Sequence, residues 1–174
     1  ANVFFACNCG QYDLIENNDS CTSSVSIGPG TLSDLYVSKT DDDWYRVTVP
    51  VFSRAYVQAI FSHAQGDVDL RLFDACDGTQ LDAGLSAVDN EQVSVQALST
   101  PLQVQVLVEV FDAAPTDCNR YDLVVSFEPG TPGNSYCPAV TNSTGYEART
   151  LGNGSSSIAA NDLTLVVGPV PAGV

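Results

Sequence analysis

Basic residues are scarce in this chain. Lys and Arg total 6 against 21 Asp and Glu, which gives a formal net charge of −15. No basic stripe is available to displace counterions from phosphates, so nucleic acid is disfavoured as a partner. The same shortage disfavours an anionic membrane surface. No apolar run approaches the ~20 residues that cross a bilayer as a helix, which argues against membrane insertion. Histidine is nearly missing too: His63 is the only one, and any Ser-His-Asp arrangement would have to use it. It stands in a Ser62-His63-Ala64-Gln65-Gly66 turn near Asp67, and no G-x-S-x-G elbow accompanies it. A carboxylate pair for glycoside hydrolysis can always be drawn from 21 acids, and nothing in the pattern selects one. The chain therefore reads as a non-catalytic protein.

Six cysteines are present: Cys7, Cys9, Cys21, Cys76, Cys118 and Cys137. Only Cys7 and Cys9 are close, and a single intervening residue is not the spacing of a zinc knuckle. A disulfide framework formed in an oxidising compartment is the better reading. Three pairings are expected. Cys76 follows one predicted strand and Cys118 precedes another, so these two would staple loops at one end of the fold. Cys21 would then pair with Cys7 or Cys9, leaving the other for Cys137. The first residue is Ala1, and the expectation is a mature, secreted chain from which a signal peptide has been removed.

Helical periodicity is missing, while two-residue alternation recurs. In Leu102–Val110 every even position is apolar and the odd ones are mostly polar. Tyr121, Leu123, Val125 and Phe127 alternate with Asp122, Val124 and Ser126, and Val68, Leu70 and Leu72 with Asp69 and Arg71. Weaker runs fill 43–49, 55–62 and 91–97. Between them lie turn formers: Gly28-Pro29-Gly30, His63–Gly66, Asp77-Gly78 and Asp89-Asn90. Short strands with regular turns predict an all-β, antiparallel, jelly-roll-like sandwich of about seven to nine strands. Residues 13–128 form this expected domain. Residues 1–12 are an apolar, β-prone extension (Asn2-Val3-Phe4-Phe5-Ala6), 129–135 a Pro/Gly-rich linker, and 136–174 a β-rich tail. The tail's strand-like patches are Tyr146–Leu151, Ser157–Ala160 and Leu163–Val167, too few to bury a separate core.

The stretch Asp43-Trp44-Tyr45-Arg46-Val47-Thr48-Val49-Pro50 matches a "D-W-Y-x-V-x-V-P" strand, and Gly66-Asp67-Val68-Asp69-Leu70-Arg71-Leu72-Phe73-Asp74 a "G-D-x-D-L-x-L-x-D" strand. Tyr121-Asp122-Leu123 supplies a closing "Y-x-L". Asp13-Leu14-Ile15-Glu16-Asn17-Asn18-Asp19-Ser20 follows a leading "D-x-x-E-P-N-D-S", with Asn17 in place of the usual Pro. With these motifs in order, 13–128 resembles the bacterial pre-peptidase C-terminal domain family, which is related to the collagen-binding domains of collagenases. The resemblance implies a secreted β-sandwich attached to a hydrolase as a non-catalytic module for secretion, targeting or substrate binding. The tail from Gly133 is similar to the opening of a second β-rich module found after such domains.

Some collagen-binding relatives hold calcium between the leading segment and the loop before the "D-W-Y" strand. The matching positions are Glu16, Asn18, Asp19, Asp41 and Asp43, so the resemblance implies a possible Ca²⁺ site there. Oxygen donors from two distant segments suit Ca²⁺, which takes six to eight of them in irregular geometry. An ordinary solvated polar loop is the plainer reading of the same residues. Trp44 and the tyrosines suggest a carbohydrate-stacking platform, while the place of Trp44 within a predicted strand is equally explained by core packing or a sandwich edge. Asn18, Asn142 and Asn153 open N-x-[ST] triplets.

Two functions fit this reading. In the first, copies of the chain assemble head-to-tail by adding the β-prone ends to a neighbour's sheet edge, making an extracellular fibre or layer. In the second, the chain is an accessory binding module of a secreted hydrolase, addressed to an extracellular polymer.

Overall fold

A computed structural model describes residues 13–111, 118–129, 149–153 and 164–168. Eleven strands follow in chain order: β1 (Val25–Ile27), β2 (Gly30–Ser38), β3 (Asp43–Val49), β4 (Ser53–Phe61), β5 (Val68–Phe73), β6 (Gln80–Gly84), β7 (Glu91–Ala97), β8 (Leu102–Val110), β9 (Cys118–Pro129), β10 (Arg149–Asn153) and β11 (Thr164–Gly168). Two single 3₁₀ turns, Cys21–Ser23 and His63–Gln65, complete the described elements. Among the described residues no helix is long and apolar enough to cross a membrane.

The chain divides into two compact units. The first comprises 1–48, 55–95 and 103–127. Its strands belong to a five-stranded sheet ordered β1-β3-β8-β5-β6 and a four-stranded sheet ordered β2-β9-β4-β7, packed as a sandwich. With β1 set aside, β2–β9 follow jelly-roll order, crossing between the sheets at every step except the β5–β6 hairpin. The two-residue alternation of the sequence becomes the alternation of burial. In β3, Asp43, Tyr45, Val47 and Val49 are buried while Trp44, Arg46 and Thr48 are not; in β4, Ala55, Val57, Ala59 and Phe61 point inward. Tyr45, Tyr121, Leu35, Leu70, Leu72 and Leu123 are the largest side chains fully removed from water. The second unit comprises 49–54, 96–102 and 128–174. Phe52 N donates to Leu98 O at 2.9 Å, and β10 pairs antiparallel with β11 from Arg149↔Gly168 to Asn153↔Thr164.

The turns follow their chemistry. Asn90 takes φ +67 and its Oδ1 accepts from Phe61 N at 3.0 Å, while Asp89 Oδ1 accepts from His63 N at 2.7 Å. Gly66 has φ +155, and a Cβ there would lie 3.1 Å from Cys118 O, so a side chain meets both strained backbone and a neighbouring carbonyl.

Two expectations need correction. The sandwich is not wholly antiparallel: β1 runs parallel to β3, with Val25 beside Tyr45 and Ile27 beside Val47. A three-residue strand reaches that edge directly from the leading segment, without the hairpin that would reverse it. Cys76 does not pair with Cys118 but with Cys21, Cα atoms 5.3 Å apart. The register explains why. β5 and β8 pair from Val68↔Val110 to Phe73↔Gln105, so the connection from Val110 to Cys118 starts at the Val68 end of β5. Cys76 leaves from the Phe73 end, about 17–20 Å away along a six-residue strand. Cys118 is itself disulfide-bonded. Cys7, Cys9, Cys137, Asn142, the segment Asn2–Ala6, the linker beyond Pro129 and the patch Ser157–Ala160 lie outside the described residues.

Candidate metal centre

The leading segment meets β3 where Trp44 N donates to Asn18 O at 2.9 Å. Three features fix that segment. Asp13 Oδ1 accepts from Ile15 N at 2.7 Å, and its Oδ2 from Tyr36 N at 3.0 Å on β2. Glu16 Oε1 accepts from Asp13 N at 3.0 Å. Asn17 then turns the chain with φ +68. Proline, held near −65°, could not take that conformation, whereas Asn tolerates it. On the opposite side, reciprocal backbone bonds of 3.1 Å between Ser38 and Asp41 hold the loop ahead of β3.

This geometry brings Glu16, Asp19 and Asp41 together, with one carboxylate oxygen from each within 4.8 Å of the others. None of the ion pairs among the described residues involves any of the three. Glu16 is raised above the ordinary carboxylate range by burial and by Asp41 beside it. Asp41 is raised by burial and then by Asp19, Asp13 and Asp42. Mutual repulsion of this kind is what a cation between the groups removes.

Asn18 and Asp43 lie deeper, at 1 % and 2 % exposure. Asn18 Nδ2 donates to Asp43 Oδ1 at 3.0 Å, and Tyr121 Oη donates to Asp43 Oδ2 at 2.6 Å. Tyr121 Oη is also 2.7 Å from Tyr45 Oη. Burial lifts Asp43 to about 8, against the pull of the Tyr121 hydrogen bond. Both Asp43 oxygens are therefore engaged inside the core, and Asp43 stands behind the three-carboxylate group instead of within it. Asn18 Oδ1, by contrast, is buried with no hydrogen-bond partner. An orphaned buried acceptor is uncommon and calls for an explanation.

A hard divalent cation fits the donor set. The available atoms are carboxylate and amide oxygens, with no thiolate or imidazole among the grouped residues, and such a set suits Ca²⁺ or Mg²⁺ over zinc. Glu16, Asp19 and Asp41 could hold it directly, and Asn18 Oδ1 has a free lone pair to offer. Sequence reasoning missed Asp13, Tyr45 and Tyr121. Asp13 carried a legible signal, an Asx-type side chain two residues before the amide it caps. The tyrosines carried none, because a core tyrosine looks alike with or without a polar partner.

The other singled-out residues lie elsewhere. His63 Nδ1 is 3.2 Å from Asp67 Oδ1 in a half-buried turn. Trp44, half-buried on the outer side of β3, packs at 5.8 Å and 33° against Phe73. Asn18 is too buried to carry a glycan.

No family model matches the chain, and no curated protein does. Among solved structures the chain is similar to the pre-peptidase C-terminal domain of collagenase from Bacillus anthracis, seen in a 1.0 Å crystal structure. That likeness has 17% sequence identity and a TM-score of 0.45, and it covers 59% of this chain and 94% of the other.

Proposed function

We propose that residues 13–128 form a non-catalytic extracellular binding module whose leading segment is clamped to β3 by Ca²⁺, with the flanking residues as extensions. One observation carries this reading: Glu16, Asp19 and Asp41 converge with no ion-pair partner among the described residues, next in the chain to Asn18, whose buried Oδ1 is unsatisfied. A bound cation would neutralise the three carboxylates. The chain's own part is to hold them in place through Asp13, Asn17 and the Ser38–Asp41 bridge. The Cys21–Cys76 disulfide supports an oxidising, extracellular setting.

Isothermal titration of chelator-treated protein with CaCl₂ tests the reading. Saturable 1:1 binding that is lost in Asp41→Asn and Glu16→Gln is the expected result. Heat indistinguishable from dilution in the unaltered chain would sink it.

Head-to-tail assembly through strand addition is the second reading. The observation in its favour is that, among the described residues, β1 and β2 each end a sheet, and another chain's strand could join such an edge.

A further inference from the structure

Asp19 is the exposed member of the three-carboxylate group, and among the described residues no hydrogen bond involves its side chain. Its position is therefore set by the chain on either side. Before it, Asn18 is anchored twice to β3: its backbone oxygen accepts from Trp44 N at 2.9 Å, and its Nδ2 donates to Asp43 Oδ1 at 3.0 Å. After it, Cys21–Ser23 form a 3₁₀ turn whose hydrogen bonds stay local. Ser23 N donates to Ser20 O at 2.9 Å, Ser24 N to Cys21 O at 3.3 Å, and Ser20 N to Ser23 Oγ at 3.3 Å. Among the described residues, Ser20–Ser24 are bonded to another part of the fold only through the sulfur of Cys21.

The other end of that bond is firmly held. Cys76 lies in the loop joining β5 to β6, which Asp74 closes twice: its amide donates to Thr79 O at 3.1 Å, and its Oδ1 accepts from Thr79 N at 2.7 Å. Gly78 N donates to Ala75 O at 3.1 Å across the tip. Phe73, at the end of β5, packs against Trp44, whose amide holds Asn18. The links thus close a ring that runs from Asn18 through Asp19 to Cys21, across the sulfurs to Cys76, back to Phe73, over to Trp44 and home to Asn18. A ring of this kind holds Asp19 near Glu16 and Asp41 before a cation arrives, which removes an ordering cost from binding. With the sulfur bond open, Asp19 is held from the Asn18 side alone until β1 begins at Val25.

We propose that the Cys21–Cys76 disulfide and the cation site are coupled: the bond raises the affinity of Glu16, Asp19 and Asp41 for Ca²⁺, and bound Ca²⁺ protects the bond from reduction by the same factor. The inference rests on the calcium reading and adds a redox dependence to it. A reduced chain binds the ion weakly, so cation uptake follows oxidation.

The reciprocal effect is measured on the unaltered chain. Dithiothreitol, a dithiol, delivers two electrons and two protons to the bond, giving two thiols and its own cyclic disulfide. The reduced fraction of Cys21 and Cys76 is counted at equilibrium by alkylation and mass spectrometry. Half-reduction should need a ratio of dithiothreitol to its oxidised form on the order of tenfold higher in saturating CaCl₂ than in chelator. Titration of Cys21→Ser/Cys76→Ser with CaCl₂ should show an affinity about tenfold weaker than that of the oxidised chain. In the same variant, without cation, the Trp44 amide should exchange its hydrogen faster while those of Leu70 and Leu72 keep their rates, which shows that the core is intact. Equal calcium affinity in variant and unaltered chain, a reduction equilibrium that ignores bound calcium, or an unchanged Trp44 rate would overturn the coupling and leave the calcium reading standing. Absence of calcium binding to the unaltered chain would overturn both.

Discussion

On the five-stranded sheet, on the side away from Leu70 and Leu72, Asp69 and Glu109 stand next to each other in register. Arg71 answers both: its Nε donates to Glu109 Oε1 at 2.5 Å and its Nη2 to Asp69 Oδ2 at 3.3 Å. Burial pushes Asp69 up, but the guanidinium pulls it back, leaving it at about 6. At the start of β3 the carboxylates are as crowded and Asp43 is as buried, yet the groups around it are tyrosines, an amide and more acids. Asp43 stands at about 8. The same strain is relieved by a built-in cation in one place and by hydrogen bonds alone in the other. Among the described residues the second region lacks a positive charge, and a proton or a metal ion can supply it.

The contrast sharpens most under changes of pH and calcium. For Asp43, Glu16 and Asp41 the native pKa lies above the unfolded one, so the native state holds more protons between the two values. Stability from these groups is complete below about pH 4 and falls as pH rises toward the native value of Asp43, about 8. Thermal melts of chelator-treated protein should show Tm decreasing over that window. Calcium at about 100 times its Kd should restore about 2.7 kcal/mol at pH 8. A Tm that rises with pH in chelator would contradict the assignment.

Tyr121→Phe comes next in size. It removes the hydroxyl shared by Asp43 and Tyr45 and leaves two buried oxygens short of a partner, with a loss of about 2 kcal/mol in urea denaturation at pH 7. Arg71→Met is the smallest. Its partner Glu109 is partly exposed, so about 1 kcal/mol is expected. The more telling readout is the Asp69 carboxyl, which should titrate higher by NMR once the guanidinium is gone. If Arg71→Met also weakened calcium binding, the two regions would not be separate.

The strands that could be read from sequence are those whose alternation marks one dry face, such as Leu102–Val110 and Val68–Phe73. β2 was not readable as a strand, because Asp34 at φ +66 and the register shift between Leu32 and Leu35 break its period. β6 has a single large apolar residue, Leu81, and it is exposed. A sheet-edge strand of that kind owes its shape to its neighbour and not to its own pattern. In β8 the alternation understated burial: Gln105 and Leu107, on the face expected to be wet, are both 7 % exposed. Glu16, Asp19 and Asp41 were legible only through resemblance, since no local spacing announces that residues 16 and 41 meet. The cysteine pairing failed for a related reason: which end of a strand a loop leaves from depends on sheet order.

The Cys21–Cys76 bond spans a sequence separation of 55, and β1–β5 all lie inside the loop that it closes. Under tension applied to the two ends of the chain, force passes through the sulfur bridge and bypasses those strands. On the order of 190 Å of contour length stays hidden until the bond is reduced. A pulling experiment would therefore see a molecule that lengthens by at least that much once a reductant is added.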